Sequence, residues 1–254
     1  MFDEGKYLYC IIEEASHRIF GPIGIGEKGN EVHTLCYRDL ACIISSTPMT
    51  KYLINRNNLM AHEKVIEEVM KDYTVLPVRF GTIATSNDEV RSLLMKNYHK
   101  FKNLLRSMDN KEEIGLKAFW LDRDVIFKEI AASDREVRGL REELQKKGKS
   151  LSLDERVTLG EKVKNTLEKK KEAEAEEILQ PLKSKSIDFC LNDPVGDTMV
   201  LNSAFLIDRT QEREFDDIVE NLIEKYKDRI KFKYIGPSPP FNFVNLAIKW
   251  GLEE

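Results

Sequence analysis

Four features of this chain carry residues whose type and spacing could support chemistry. His62-Glu63 begins as an HExxH zinc site does, where two histidines one turn apart hold the metal and the glutamate activates water. Position 66 is Ile, so the second ligand is missing, and a packed or hydrogen-bonded histidine is the expectation there. Gly24, Gly26 and Gly29 spell a G-x-G-x-x-G. In a dinucleotide fold that fingerprint opens a helix whose N-terminus receives the pyrophosphate. Here the alternating stretch Glu31-Val32-His33-Thr34-Leu35-Cys36 follows it, which predicts a flexible turn before a strand. The four cysteines, Cys10, Cys36, Cys42 and Cys190, form no CxxC pair and each lies in an apolar, strand-like segment. They read as buried free thiols of a reducing cytosol. Arg79 is the most informative charge, because it stands inside the apolar run Thr74–Ala84. Such a guanidinium either pairs with a carboxylate or with helix C-terminal carbonyls at a sheet end, or it anchors a partner.

Other catalytic patterns are missing from the sequence. It contains no G-x-x-x-x-G-K-[ST] loop, no G-x-S-x-G elbow and no metal-ligand spacing, and its four histidines are scattered. No metal, no cofactor and no catalytic residue is therefore expected. The chain has 254 residues with a formal net charge of −4, which argues against a nucleic-acid or anionic-membrane partner. It is 41% hydrophobic and 33% charged, the latter above the usual quarter, so a stretch of solvated helical surface is expected. No apolar run approaches a membrane span, and Asp3 and Glu4 open a sequence unlike a secretory signal.

The elements that must position these residues follow from periodicity. Tyr7–Ile12 reads as a first strand, and residues 32–36 and 40–45 as a hairpin turning at Tyr37-Arg38-Asp39. An amphipathic helix is predicted over 58–72, with His62 on its apolar seam. Thr74–Ala84 reads as a buried strand with a tight exit at Gly81. Ser86 and Glu89 make a capping box before a second helix reaching about Met108. A boundary is placed at Asp109-Asn110-Lys111, giving an N-terminal α+β domain over 1–110 and a C-terminal domain over 111–254.

The second half reads strand, helices, strand, strand, helix, strand. That is the split βαβ of a ferredoxin-like fold, with an enlarged helical crossover over about 124–182 forming a long helical hairpin. Its helices are expected over about 124–147 and from the capping box Ser152/Glu155 to about 180, ended by Pro181. Glu168–Glu177 contains no large apolar side chain and reads as a solvated, projecting arm. The overall class is α+β with two domains. The tail Gly236-Pro237-Ser238-Pro239-Pro240-Phe241-Asn242-Phe243-Val244 reads as a stiff extended loop, either a lid over a core edge or a recognition surface.

Taken together, these stretches resemble a known family. Leu76-Pro77-Val78-Arg79-Phe80-Gly81-Thr82, preceded by His62-Glu63, resembles the signature of the gas vesicle protein F/L family. The tail 236–244 looks like that family's closing G-P-x-P-P-aromatic-x-Phe segment, and Tyr7–Ile11 is similar to its first strand. The resemblance implies a non-enzymatic, two-domain accessory protein of gas vesicle formation, a minor vesicle component or assembly factor. It implies a location at the gas vesicle and in the cytoplasm of a bacterium or archaeon, and as partners the small hydrophobic shell protein and other gas vesicle accessory proteins. Candidate partner-binding or domain-junction residues are His62, Glu63, Pro77, Arg79, Phe80, Gly81, Pro237, Pro239, Pro240, Phe241 and Phe243. The charge-rich region 134–185 carries none of the family's motifs. Two other classes stay open: an RNA-binding ferredoxin-like module using Phe232 and Tyr234, and a small-molecule enzyme with a site near Arg79 and His62.

Overall fold

A computed structural model describes residues 4–26, 30–133, 138–139, 153–246 and 248. The chain mixes α-helices with antiparallel sheets, as an α+β protein does, and clusters into two compact units. The first comprises Met1–Glu113 with Pro237–Glu254, and the second Ile114–Gly236. The tail, grouped by sequence with the second half, thus clusters with the first unit.

In the first unit the sheet runs β2 (Ile19–Gly21), β3 (Val32–Tyr37), β4 (Leu40–Pro48), β1 (Glu4–Glu13), β5 (Leu76–Pro77). A further pairing, β6 (Ile83–Ala84), also lies against β1. The β3–β4 hairpin turns at Arg38-Asp39, with Tyr37 opposite Leu40. The β4 pattern is buried on both faces because its side chains serve two cores in alternation. Leu40, Cys42 and Ile44 join one cluster, and Ala41 and Ile43 the other. A register shift between Leu8 and Cys10 marks a bulge in β1. It lets Tyr7, Tyr9 and Cys10 share the second cluster while Leu8 and Ile11 serve the first.

Helix α1 (Arg56–Met70) supplies Val65, Ile66 and Val69 to the Tyr7/Tyr9 core, and starts at Asn55, whose side chain accepts from the Asn58 N–H at 2.9 Å. The helix expected over 86–108 is broken in two, α2 (Asn87–Lys96) and α3 (Tyr98–Met108). The break falls at Asn97, whose φ of −107° and ψ of 14° leave the helical region while its side chain bonds the Leu93 carbonyl at 3.0 Å. Ser86 caps α2, and Glu89 reaches back to the Thr85 N–H and hydroxyl.

The second unit is entered along β7 (Lys111–Trp120) and left along β10 (Ile230–Ser238). Its sheet runs β10, β7, β9 (Met199–Asp208), β8 (Asp188–Leu191). Helices α4 (Arg123–Ser133) and α5 (Leu153–Lys183) lie between β7 and β8, and α6 (Glu212–Tyr226) between β9 and β10. This order is compatible with a ferredoxin-like split βαβ. The predicted stretch 134–137, residues 140–147 and Ser152 fall outside the described residues.

The charge run of α5 differs from its expected form. Leu167, Ile178, Leu179 and Leu182 are buried in the core, Ala175 packs on it, and Lys171 is only 5% exposed, donating to the Gly196 carbonyl at 2.9 Å. One face of the run is therefore seated on the unit; small and long-stemmed residues fill positions where large apolar ones were sought. The helix also continues through Pro181 to Lys183, where Pro181 was expected to end it.

Candidate functional site

The run Thr74–Ala84 is not one continuous strand. β5 and β6 both pair with β1, and the chain leaves the ladder between them. The Val78 N–H still reaches the Tyr9 carbonyl at 2.9 Å, and the Leu8 N–H reaches the Thr82 carbonyl at 3.0 Å. Arg79-Phe80-Gly81-Thr82 closes as a turn, its Thr82 N–H and hydroxyl both on the Arg79 carbonyl. Gly81 stands at the third position with φ of 79°, the value a type II turn requires there. Pro77 ends the ladder pairing and Gly81 permits the turn, so Arg79 and Phe80 are lifted off the sheet edge.

His62 lies beneath this turn. It is 4% exposed, its Nε2 is 3.1 Å from the Val78 carbonyl and its Nδ1 3.1 Å from the Tyr7 hydroxyl. A carbonyl can only accept, so Nε2 carries the proton and Nδ1 accepts from Tyr7. The Tyr7 oxygen in turn accepts from the Gly81 N–H at 2.9 Å. Burial pushes the imidazole down to about 4, against the opposing Val78 bond, and burial likewise raises the Tyr7 phenol. The chain Gly81, Tyr7, His62, Val78 is therefore neutral and closed on itself. Tyr9 stacks on His62 at 5.7 Å, and Phe80 meets the same ring edge-on at 5.7 Å.

Above these rings lies an open cavity of about 390 Å³, lined from α1 by Leu59, His62 and Glu63, from the turn segment by Pro77, Val78, Arg79 and Phe80, and from the tail by Phe241. The tail reaches it through a parallel bridge between Val78 and Leu246. Its turn is tight where an extended loop was expected: the Phe241 N–H bonds the Pro239 carbonyl at 2.7 Å, and the Val244 N–H bonds that of Pro240 at 2.9 Å. Glu113 holds the turn, its carboxylate accepting from the Asn242 N–H at 2.7 Å and from the Asn242 amide. Burial raises that carboxyl, with the Asn242 bonds opposing. Arg79 is exposed and donates to Asn245 Oδ1 at 2.9 Å; its partner is a neutral amide where a carboxylate or helix carbonyls were expected.

So six of the candidate residues, His62, Glu63, Pro77, Arg79, Phe80 and Phe241, share one cavity wall. Gly81 is exposed on the turn, Pro239 and Pro240 are buried behind it, Phe243 is half-buried and Pro237 is exposed at the end of β10. The cavity belongs to the first unit alone.

The model of the family described as gas vesicle synthesis protein GvpL/GvpF matches residues 5–245. The chain belongs to this GvpL/GvpF family.

Relatives show the same. Gas vesicle protein F of Dolichospermum flosaquae is 30% identical over 244 residues, covering 94% of this chain and 97% of that protein. Gas vesicle protein L of a Streptomyces strain is 25% identical over 193 residues, covering 74% and 68%. The crystal structure of GvpF from Microcystis aeruginosa superposes with a TM-score of 0.79 at 27% identity, covering 95% of this chain and 99% of that one. The GvpF crystal structure from Anabaena sp. gives the same TM-score, with 96% and 100% covered.

Within this GvpL/GvpF chain, three residues of the site lie outside the stretches that carry the resemblance, Leu59, Asn245 and Glu113, and Tyr7 lies inside one without having been named as a site residue. Tyr7 had one local signal: a phenol in a buried strand must find a polar partner. The described part of the glycine fingerprint, Gly24–Gly26, bonds back to the unit itself. The Ile25 N–H donates to the Tyr9 hydroxyl at 2.7 Å, and a Cβ at Gly24 would lie 2.6 Å from the Asn30 carbonyl. The Ile25 and Gly24 N–H groups are thus taken by the Tyr9 hydroxyl and the Asn30 carbonyl, while Gly29 lies outside the described residues. All four cysteines are free thiols on strands; Cys10 and Cys42 are buried, Cys36 and Cys190 half-buried. Among the described residues no cluster of three metal-ligating side chains occurs, and no helix is long and apolar enough to cross a membrane.

Proposed function

We propose that this chain acts in gas vesicle formation as a non-enzymatic accessory protein of the cytoplasm, holding the apolar shell protein during nucleation and growth, alone or with other accessory proteins. The observation that carries this reading is the cavity above His62 and the apolar surface around it. Leu59 and Met60 on α1 are 41% and 54% exposed, and Leu53 and Ile54 just ahead of the helix 74% and 81%. The Asn58 amide ties that leading segment to the first turn by bonding the Leu53 carbonyl at 2.9 Å. Phe241 adds an aromatic ring 38% exposed. Grouped apolar exposure of this kind marks an interaction site. A gas-tight shell needs a subunit with a strongly apolar face, which aggregates when free, and a partner with an apolar groove covers such a face.

Two observations favour this over the other classes. An enzyme would need His62 as its base, yet both ring nitrogens are engaged. An RNA-recognition sheet needs its aromatics on the open face, yet Phe232 and Tyr234 pack against the helix-covered core. Co-purification of the full chain with the shell protein tests the reading. Capture is expected for the wild type and lost in Leu59→Glu with Phe241→Ser; undiminished capture by that folded variant would sink the site.

A further inference from the structure

We infer that the segment seated in this cavity is an amphipathic protein segment carrying carboxylates beside its apolar anchor, with Arg56 and Arg79 receiving them. The inference rests on the reading above and names the partner's chemistry. Leu59 and Glu63 line the cavity from α1. Arg56, three residues before Leu59 and seven before Glu63, lies on the same helical stripe, one turn toward the N-terminus. Arg79 lines the cavity from the turn opposite. Both arginines are exposed, and among the described residues neither stands in an ion pair; Arg79 is held by the neutral Asn245 amide. Elsewhere in this unit Lys6 pairs with Glu4 and Lys71 with Glu68. The first turn of α1 has no acidic residue, so the positive end of its dipole adds to the same field. Glu63 is the one acidic residue in the lining, and it sets the negative end of the rim farther along α1.

An apolar floor between two guanidiniums outside any ion pair selects an apolar side chain flanked by acids, since a basic flank would meet Arg56 and Arg79 with like charge. The exposed Leu53 and Ile54 extend the footprint along the helix entrance, which suits a segment several residues long rather than a small molecule. The rim charges thereby act on specificity and on rate of association, and the apolar floor on residence.

The experiment titrates the full chain with two synthetic amphipathic helical peptides that share one Leu-rich face and carry either Glu or Lys beside it. The Glu peptide is expected to bind at least about tenfold tighter at low ionic strength, the gap closing as salt screens the rim. Arg56→Glu with Arg79→Glu is expected to invert the preference, and circular dichroism checks that this variant is folded. Equal binding of the two peptides, tighter binding of the Lys peptide, or binding of neither overturns the inference. Shell-protein capture separates the two levels. Capture lost in Leu59→Glu but unchanged in the double arginine variant removes the charge selection alone. Capture unchanged in Leu59→Glu removes the site itself.

Discussion

His62 shows how one buried side chain sets a pH limit on the fold. Its folded value is held near 4 by burial, while the unfolded imidazole titrates near 6.5. The unfolded chain therefore binds more protons between those values, and the stability this residue contributes, full above about pH 6.5, is lost as pH falls toward about 4. Protonating the buried ring across that window costs on the order of 3 kcal/mol of stability. Urea titrations at stepped pH are expected to show this slope in the wild type and a flatter one in His62→Gln. The window is separable from that of Glu129, whose carboxylate the Arg229 bonds hold down to about 2, so that its share is lost below the ordinary carboxylate range. Gly81 carries a second residue-scale expectation. Nothing lies within 4 Å of a Cβ placed there, so Gly81→Ala tests backbone strain at φ of 79° alone. A loss of about 1–2 kcal/mol is expected in thermal or urea melts, with Gly81→Asn milder.

Among elements, the second unit is joined by a charge network that no single segment announces. Arg229, at the entry to β10, donates to both Glu129 oxygens on α4 at 2.8 Å, and to Glu174 on α5 at 2.6 and 3.1 Å. The Trp120 indole at the end of β7 donates to Glu174 at 2.7 Å, and Lys170 pairs with Glu129 at 2.9 Å. One guanidinium thus fixes both crossover helices to the strands they connect. The bidentate fork cannot be reproduced by an ammonium. Arg229→Lys is expected to cost about 1 kcal/mol and Arg229→Met about 2–3, the latter leaving two carboxylates without their fork. Raising salt narrows the difference, because Arg229 and Glu129 are each about a third exposed.

At the scale of the whole molecule, the chain leaves the first unit at Glu113 and returns to it at Pro237. The last described residues complete a core begun by the first: Val244 and Leu246 are buried in the cluster that holds Leu8 and Val78. Removing residues 237–254 is therefore expected to weaken the first unit and spare the second. Two buried aliphatic side chains at about 1.5–3 kcal/mol each give a loss of roughly 3–6 kcal/mol. Hydrogen exchange should locate it, with faster exchange in β1, β5 and α3 and unchanged protection in β8 and β9.

Local chemistry is what the sequence determined. Capping residues, periodicity and turn glycines act within a few residues, so α1, the Ser86 cap and the β3–β4 hairpin were all legible. So was the family, because the motif 76–82 and the tail 236–244 are contiguous strings. The tertiary structure alone decided what those strings do to each other. Arg79 meets Asn245 across 166 positions, a pairing that no periodicity encodes. The seating of the charge run of α5 was hidden because alanines and long-stemmed lysines bury surface without an apolar signature. The break in Thr74–Ala84 was hidden as well, since β1 offers ladder partners on either side of 79–81 and the Gly81 N–H is taken by Tyr7. Burial and hydrogen-bond closure are properties of the assembled sheet, and they turned an expected strand into the wall of a cavity.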